Sequence, residues 1–200
     1  MNSLVSLEGI DGSGKSTVIN KLSDDDFDTD IIKTAEPTEL YSDIHNLVST
    51  DNISDPLFNF FTLLLDRYHH VNEIIENEYD DTVIISDRYV DSTRVYQPIA
   101  LAGENGPFES MWEAKHYVEV ILEAFTYEPD LTIYIDVSVD TAMNRIQADH
   151  SYENREFLEQ ARTGYVALCD QFSRFVRVDG EQNIDSVVSD VTDTLINHGV

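Results

Sequence analysis

The sequence predicts a three-layer α/β fold in which helices cover both faces of a five-stranded parallel sheet. Five short runs rich in β-branched or aromatic residues end in polar residues, and longer segments with helical periodicity separate them. Strands that alternate with helices form parallel sheets, because each parallel pair needs a crossover connection. The 200 residues, 42% of them hydrophobic, suffice for one buried core. We therefore expect a single domain over 1–200.

The elements follow in order from these patterns. The predicted strands are 4–7, 31–34, 82–86, 131–137 and 175–178. Pro56 stands at the start of the longest helical pattern, where its fixed backbone angle is tolerated. The predicted helices are 15–22, 57–78, 109–125, 140–147, 155–172 and 184–197, together with one that carries Ser92 and Tyr96. In such a fold, ligands bind at the carboxyl ends of the strands.

A glycine-rich segment lies between the first predicted strand and the first predicted helix. It reads Gly9-Ile10-Asp11-Gly12-Ser13-Gly14-Lys15-Ser16 and fits the pattern G-x-x-x-x-G-K-[ST]. Its glycines allow backbone N–H groups to surround phosphates, and the following helix adds its positive end. We expect Lys15 to reach the β and γ phosphates and the Ser16 hydroxyl to ligate Mg²⁺. The segment therefore predicts a P-loop NTPase fold that binds ATP.

A second motif follows the third predicted strand. Asp87 and Arg88 begin the run D-R-Y-V-D-S-T-R-V-Y-Q, in which Ser92 and Tyr96 share a helix face. Beside a P-loop, Asp87 is expected to orient Mg²⁺ through water, and Arg88 to grip a phosphate in fork geometry. A lone Asp–Arg pair is more often a structural ion pair, but the length of this run favours a functional site.

Taken with the segment from Leu7 to Thr17, this run closely resembles the thymidylate kinase (dTMP kinase) family. Further segments match the family in order, namely TAEPT (34–38), LDR (65–67), PDLTIYIDV (129–137), YE (152–153) and RTGY (162–165). The resemblance covers nearly the whole chain and is weakest over 100–128. It implies a nucleoside monophosphate kinase that transfers the γ-phosphate of ATP to dTMP, giving dTDP and ADP. It also implies a homodimer and a short lid at about 148–156.

The resemblance further implies roles for individual residues. Asp11 would contact the sugar or phosphate of the acceptor, and Arg88 would bind its phosphate. Arg67 would hydrogen-bond the thymine edge, and Tyr96 would lie against the deoxyribose and disfavour a 2'-hydroxyl. The other acceptor-binding residues that it implies are Glu36, Leu63, Ser92, Thr93, Gln97 and Tyr152. On the donor side it adds Thr17 to the P-loop, and Arg145 against the adenine.

The chain departs from the family pattern at several of these positions. Ala35 stands where many members have arginine, so Arg94 is a candidate substitute for that contact. Leu63 stands where the family usually has phenylalanine, and Phe60 lies one turn earlier. Neither the P-loop nor His150-Ser151 of the lid supplies the usual arginine. The resemblance therefore points to Arg155 as the cation on the transferring phosphate, with Arg162 as the second candidate.

The composition excludes several other classes of protein. The 39 Asp and Glu against 12 Lys and Arg give a formal net charge of -27, which disfavours nucleic acid and anionic membranes as partners. No stretch reaches the roughly 20 apolar residues of a membrane span, and 1–4 lack the pattern of an export signal. The acidic surface is typical of a cytoplasmic protein in a high-salt organism, or in a virus that infects one. Cys169 is the single cysteine, and we expect it to be inert.

Other functions remain open at this level. A P-loop kinase could act on another deoxynucleotide or on a deoxynucleoside, although such kinases lack this spacing from Asp87 to Gln97. A P-loop ATPase or GTPase switch would need switch segments and, for guanine, an N-K-x-D motif, which the chain lacks. A pseudoenzyme that binds nucleotides without transferring phosphate is the third alternative, because the lid departs from the family.

Overall fold

Five parallel strands form the centre of the computed structural model, which describes residues 3–27, 29–48, 55–75, 82–124, 127–146 and 155–199. The strands are β1 (Ser3–Glu8), β2 (Asp30–Ala35), β3 (Thr82–Asp87), β4 (Leu131–Asp136) and β5 (Phe175–Asp179). Their order in the sheet is β2-β3-β1-β4-β5, so β1 is central. In this register Leu7 lies beside Asp87 on one side and Ile133 on the other. The predicted five-stranded parallel sheet is confirmed.

Eight α-helices surround the sheet within the described ranges. They are α1 (Lys15–Lys21), α2 (Glu39–Val48), α3 (Pro56–His70), α4 (Val90–Leu101), α5 (Met111–Leu122), α6 (Val139–Arg145), α7 (Arg155–Gln171) and α8 (Ile184–Asn197). Across the same ranges, no helix has both the length and the apolarity that crossing a bilayer requires.

The buried core occupies both faces of the sheet, because successive strand residues point to opposite sides. Val5 and Leu7 of β1 pack with apolar residues of α1 and α8 on one face. On the other face, Leu4 packs with residues of α3, α4 and α5. Tyr134 of β4 packs there with α6 and α7. The helices on both faces thus confirm the three-layer architecture, and they leave the carboxyl edge of the sheet to the loops.

Two helices differ from the sequence prediction. The predicted helix 57–78 ends as an α-helix at His70 and continues as a π-helical segment, Val71–Ile75. Helix α2 was missed, although Thr38 just before it is a local signal, since its hydroxyl accepts from Leu40 N at 3.2 Å. Asp66 of α3 accepts hydrogen bonds from the backbone N–H groups of Thr38 and Tyr41, at 2.8 and 3.2 Å. This part of the N-terminal support comes from 25 to 28 residues away, and only that part is invisible to local sequence patterns.

An ion-pair network ties α4 to the start of β4 and to the residue that precedes β5. Asp91 is fully buried and accepts hydrogen bonds from Arg94, Arg174 and Thr132, at 2.6 to 3.1 Å. Glu128 also pairs with both arginines. This network engages Arg94 and keeps it out of the cavities described below, so it offers no support for Arg94 as a substitute phosphate ligand.

We predict that Asp91→Ala lowers the free energy of unfolding by about 3–5 kcal/mol, because it leaves two arginines near the core without their shared carboxylate. Denaturant unfolding at constant KCl measures the loss. The matched control is Asp185→Ala, which removes an exposed pair with Lys21 and should cost about 1 kcal/mol or less. Similar small losses in both variants would contradict the prediction.

Candidate active site

The P-loop turns sharply between β1 and α1. Gly12 has φ +80°, and a Cβ built there would lie 2.5 Å from the carbonyl oxygen of Ala142. The Ser13 N–H donates to the Ile10 carbonyl at 3.1 Å and closes the turn. Only glycine fits Gly12, since both the backbone angle and the close approach of α6 exclude a side chain. The loop is therefore held against α6 as well as against the sheet.

Lys15 lies inside the curve of this loop. Its side chain is buried, and Nζ donates to the carbonyls of Gly9 and Ile10 at 3.0 and 3.1 Å. A further contact reaches Ser13 Oγ at 3.4 Å. The ammonium group thus lies on the inner side of the loop to which the motif assigns phosphate binding.

Ser16 and Asp87 meet across the junction of β1 and β3. The Ser16 hydroxyl donates to Asp87 Oδ2 at 2.5 Å. Both groups line a cavity of about 300 Å³ together with Lys15 and Thr17. Hydroxyl and carboxylate oxygens suit Mg²⁺, which proteins hold through one or two side chains plus phosphates and waters. In the described part of the chain, no cluster of three or more His, Cys, Asp or Glu offers a closed metal site.

A second cavity of about 330 Å³ adjoins the first. Asp11, Glu36 and Arg88 line both cavities. The predicted acceptor residues that also line the second cavity are Leu63, Arg67, Ser92, Thr93, Tyr96 and Gln97. Phe60 is instead packed in the core, so Leu63 faces the cavity without it. The two cavities form a pair with shared walls, which is the arrangement that transfer between two phosphates requires.

Arg88 stands where the two cavities meet. Its backbone has φ 68°, a left-handed conformation that is uncommon for a residue other than glycine. Its guanidinium pairs with Asp11, donates to Ser92 Oγ at 3.2 Å and lies 5.0 Å from the centre of the Tyr96 ring. Burial alone would lower the pKa of Arg88, but the neighbouring tyrosine hydroxyls and Glu8 raise it. A permanent cation therefore faces both cavities.

Arg67 is held at the wall of the second cavity by a buried carboxylate. Glu36 accepts from Arg67 Nε and Nη2 at 3.0 and 2.6 Å, and its other oxygen lies 2.9 Å from His70 Nδ1. Burial would raise the pKa of Glu36, but Arg67 and His70 hold it below its usual value. Arg67 Nη1 and Gln97 Oε1 are buried without a partner among the described residues. Tyr89 OH is likewise buried without a partner there, so three residues that line this cavity carry unpaired buried polar atoms.

The residues predicted near the lid have different surroundings. Arg145 donates to the Gly180 carbonyl at 3.1 Å and lies 3.5 Å from the carbonyls of Gly12 and Ser13. Arg155 pairs with Asp140 on an exposed surface, and Arg162 pairs with Asp136. The structure therefore brings Arg145 to the P-loop but places neither lid candidate in the two cavities. Tyr152 and the rest of 147–154 lie outside the described residues.

Sequence reasoning missed several residues of the site. Tyr89, Ala100 and Phe157 also line the acceptor cavity, and no motif signalled Phe157, which comes from α7. Glu8 and His70 do not line the cavity themselves, but they hydrogen-bond to Ser92 and Glu36, which do. Glu8 carried a signal that could have found it, because a carboxylate inside an otherwise apolar strand needs buried partners. Cys169 is half-buried away from the site, and burial raises its pKa to about 11.

Known proteins resemble this chain over nearly its full length. The family model described as thymidylate kinase matches residues 7–191. A probable thymidylate kinase of Halobacterium salinarum is 36% identical over 190 residues, which cover 94% of this chain and 92% of that protein. Another, of Halorubrum lacusprofundi, is 35% identical over 196 residues, 96% of each chain. The thymidylate kinase of Acholeplasma laidlawii is 29% identical and covers 96% of this chain and 98% of its own. The first two organisms are halophilic archaea.

We predict that Gly12→Ala weakens the binding of a non-hydrolysable ATP analogue at least about tenfold, because a strained backbone angle costs about 1–3 kcal/mol and the new Cβ also meets Ala142. Titration calorimetry measures the affinity. Gly199→Ala is the control: it has a similar φ of +86°, and no described atom lies within 4 Å of its Cβ. An unchanged affinity in Gly12→Ala, or an equal loss in both variants, would argue against this reading of the loop.

Proposed function

The chain belongs to the thymidylate kinase family, and on that basis we propose that it transfers the γ-phosphate of ATP to dTMP, giving dTDP and ADP. The observation that carries this proposal is the pair of adjoining cavities. One surrounds the P-loop lysine, and the other is lined by Arg67 and Tyr96. Arg88 stands between them. Phosphoryl transfer needs mainly such alignment of two phosphates and neutralisation of their charge.

The donor side would hold ATP and Mg²⁺. Backbone amides of the P-loop and Lys15 would bind the β and γ phosphates, while the plane of Arg145 would cover the adenine. Ser16 and Asp87 would hold Mg²⁺, which supplies charge neutralisation between the β and γ phosphates when bound. The short Ser16–Asp87 contact supports this assignment, since it already brings two oxygen ligands to one side of the phosphate cavity.

The acceptor side would hold dTMP with its phosphate at Arg88 and Asp11. Thymine offers both carbonyl acceptors and an N–H donor along one edge. Arg67 and Gln97 both line this cavity and are the candidates to hydrogen-bond that edge. The Tyr96 ring would lie against the deoxyribose.

The lid would supply a further cation during transfer. Arg155 is the first candidate, and its present pair with Asp140 is exposed on both sides, with 52% and 75% of the side chains accessible. Exposed pairs contribute little stability, so Arg155 could exchange Asp140 for a phosphate at small cost. Arg162 is bound at 2.8 Å to the mostly buried Asp136, which makes it the weaker candidate.

High salt would be the working condition of this protein. The formal net charge of -27 creates self-repulsion that salt screens. Two relatives from halophilic archaea support a cytoplasm rich in salt, or a virus of such a host, as the setting. The acceptor assay therefore has to be run at both low and molar KCl.

Release of ADP, coupled to a reporter enzyme, tests the function with an acceptor panel of dTMP, dUMP, dCMP, dGMP and thymidine. We expect dTMP to be used best and the activity to rise with KCl. A preference for thymidine would identify a deoxynucleoside kinase. Binding of nucleotides without ADP release from any acceptor would identify a pseudoenzyme, and acceptor-independent release would identify an ATPase.

We predict that Arg88→Ala lowers kcat/KM for dTMP at least about 100-fold, because each lost hydrogen bond to a charged group is worth about 1.5–3 kcal/mol. The affinity for an ATP analogue should change little. Arg155→Ala is the contrasting variant, which should lower kcat more than it raises either KM. Normal dTMP turnover in Arg88→Ala would refute its role at the acceptor phosphate.

A homodimer would bury the outer face of α3. Phe61, Leu65 and Tyr68 follow one another at helical spacing and are 48%, 53% and 58% exposed. Leu47 of α2 is 85% exposed. Apolar groups in such a stripe mark interaction surfaces, and a second copy of the chain is the occupant that the family resemblance implies.

We predict that Leu65→Asp converts the dimer to a monomer, because a charge in an apolar interface is buried without a partner. Light scattering after size-exclusion chromatography at molar KCl measures the mass. Ile196→Asp is the matched control, since Ile196 is a 50% exposed aliphatic residue on α8, and this variant should keep the mass of the unmodified protein. A monomeric unmodified protein, or a dimeric Leu65→Asp, would overturn the α3 interface.

A further inference from the structure

Glu8 is a fully buried carboxylate that the proposed chemistry does not use. It is the last residue of β1 and directly precedes the P-loop. Among the described residues, five uncharged groups donate hydrogen bonds to its two carboxylate oxygens. Oε1 accepts from Ser6 Oγ at 3.1 Å, from Tyr89 N at 2.8 Å and from Ser92 N at 3.3 Å. Oε2 accepts from Ser92 Oγ at 2.6 Å and from Tyr165 OH at 2.9 Å.

These contacts join three elements of the site at one carboxylate. β1 leads into the P-loop, α4 carries the acceptor residues, and α7 follows the segment expected to form the lid. The N-cap residue of α4, Tyr89, makes no side-chain cap of its own. Glu8 of β1 caps the helix instead, and its negative charge complements the positive end of the helix dipole. The position of α4 relative to the P-loop is therefore fixed through Glu8.

The same carboxylate orients the cation between the cavities. A serine hydroxyl has one proton, and Ser92 directs it at Glu8. Its lone pairs are then turned toward Arg88 Nη1, 3.2 Å away. The left-handed turn at Arg88 is held on both sides, because Arg88 N donates to the Leu7 carbonyl and Tyr89 N donates to Glu8. Two consecutive residues of β1 thus hold the backbone that presents the guanidinium.

A neutral side chain could not make the same set of contacts. A glutamine has one acceptor oxygen, and its NH₂ group would face at least one of the donors that the carboxylate now satisfies. Burial and the nearby Asp91 raise the pKa of Glu8. A carboxylate at this position therefore costs free energy, and the protein nevertheless has one there. Its contacts explain why, since an apolar residue would take the acceptor away from the N–H of Tyr89, the N-cap residue of α4.

We propose that Glu8 is a positioning residue for phosphoryl transfer, an inference that rests on the proposed function. Its carboxylate aligns the Arg88 guanidinium, through Ser92 and the turn at Tyr89, with the P-loop on the same strand. Glu8 touches neither nucleotide. Its role is to set the distance between the acceptor phosphate and the γ-phosphate. A misplacement of either phosphate by about 1 Å can cost roughly 100-fold in rate.

The test is Glu8→Gln in the full chain at molar KCl, with Glu109→Gln as a control that removes one exposed charge. We expect Glu8→Gln to lower kcat/KM for dTMP about 10- to 100-fold, to raise KM for dTMP, and to leave KM for ATP and the affinity for an ATP analogue within about twofold. A merely structural role would reduce the fraction of active protein, which lowers kcat and leaves both KM values unchanged. That result, or unchanged kinetics, would overturn the proposal.

A second variant keeps the proposal testable if Glu8→Gln does not fold. Ser92→Ala cuts the link between Glu8 and Arg88 and should likewise raise KM for dTMP but not KM for ATP. Where both single variants fold, the double variant should lose little more than Glu8→Gln alone, because the two residues act in series. Fully additive losses would show that Glu8 does not act through Ser92. An unmodified protein without dTMP-dependent ADP release would instead refute the proposed function, and the positioning role with it.

Discussion

The parallel pairing of β1 with β3 is the constraint on which the site depends. Because Leu7 lies beside Asp87 in this register, both strands end at the same edge of the sheet. The P-loop leaves one strand there, and the turn at Arg88 leaves the other. The Ser16–Asp87 contact and the hydrogen bond from Arg88 N to the Leu7 carbonyl both follow from that adjacency. A shift by one residue would reverse the faces and separate these groups.

Positive charge is scarce in this protein, and its structure holds the cations of the site with nearby oxygen atoms. Twelve Lys and Arg face 39 Asp and Glu. Lys15 is held by P-loop carbonyls, Arg67 by Glu36, and Arg88 by Asp11 and Ser92. Such partners fix long side chains in advance, which lowers the entropy lost when a phosphate binds. The acidic composition therefore coexists with an anion-binding site because each cation is positioned locally.

Buried polar groups divide into two kinds around the acceptor cavity. Both carboxylate oxygens of Glu8 and of Glu36 accept hydrogen bonds within the protein, so these side chains act as supports. Arg67 Nη1 and Gln97 Oε1 instead lack partners among the described residues. The first kind fixes the wall of the cavity, and the second leaves unpaired polar atoms within that wall. This division agrees with the wall of a selective pocket better than with a purely structural cluster.

The sequence by itself determined the parallel α/β architecture and the P-loop, because periodicity and glycine spacing are local properties of the chain, while the family resemblance implied most of the residues that line the second cavity. Only the tertiary structure decided the rest. Part of the N-terminal support of α2 comes from Asp66 of another helix, and the use of Glu8 depends on donors more than 80 residues away. Arg94, Arg155 and Arg162 share one residue type, yet each is placed by its partner carboxylate. The tertiary fold brings each arginine to its carboxylate, and no local sequence pattern encodes these pairs.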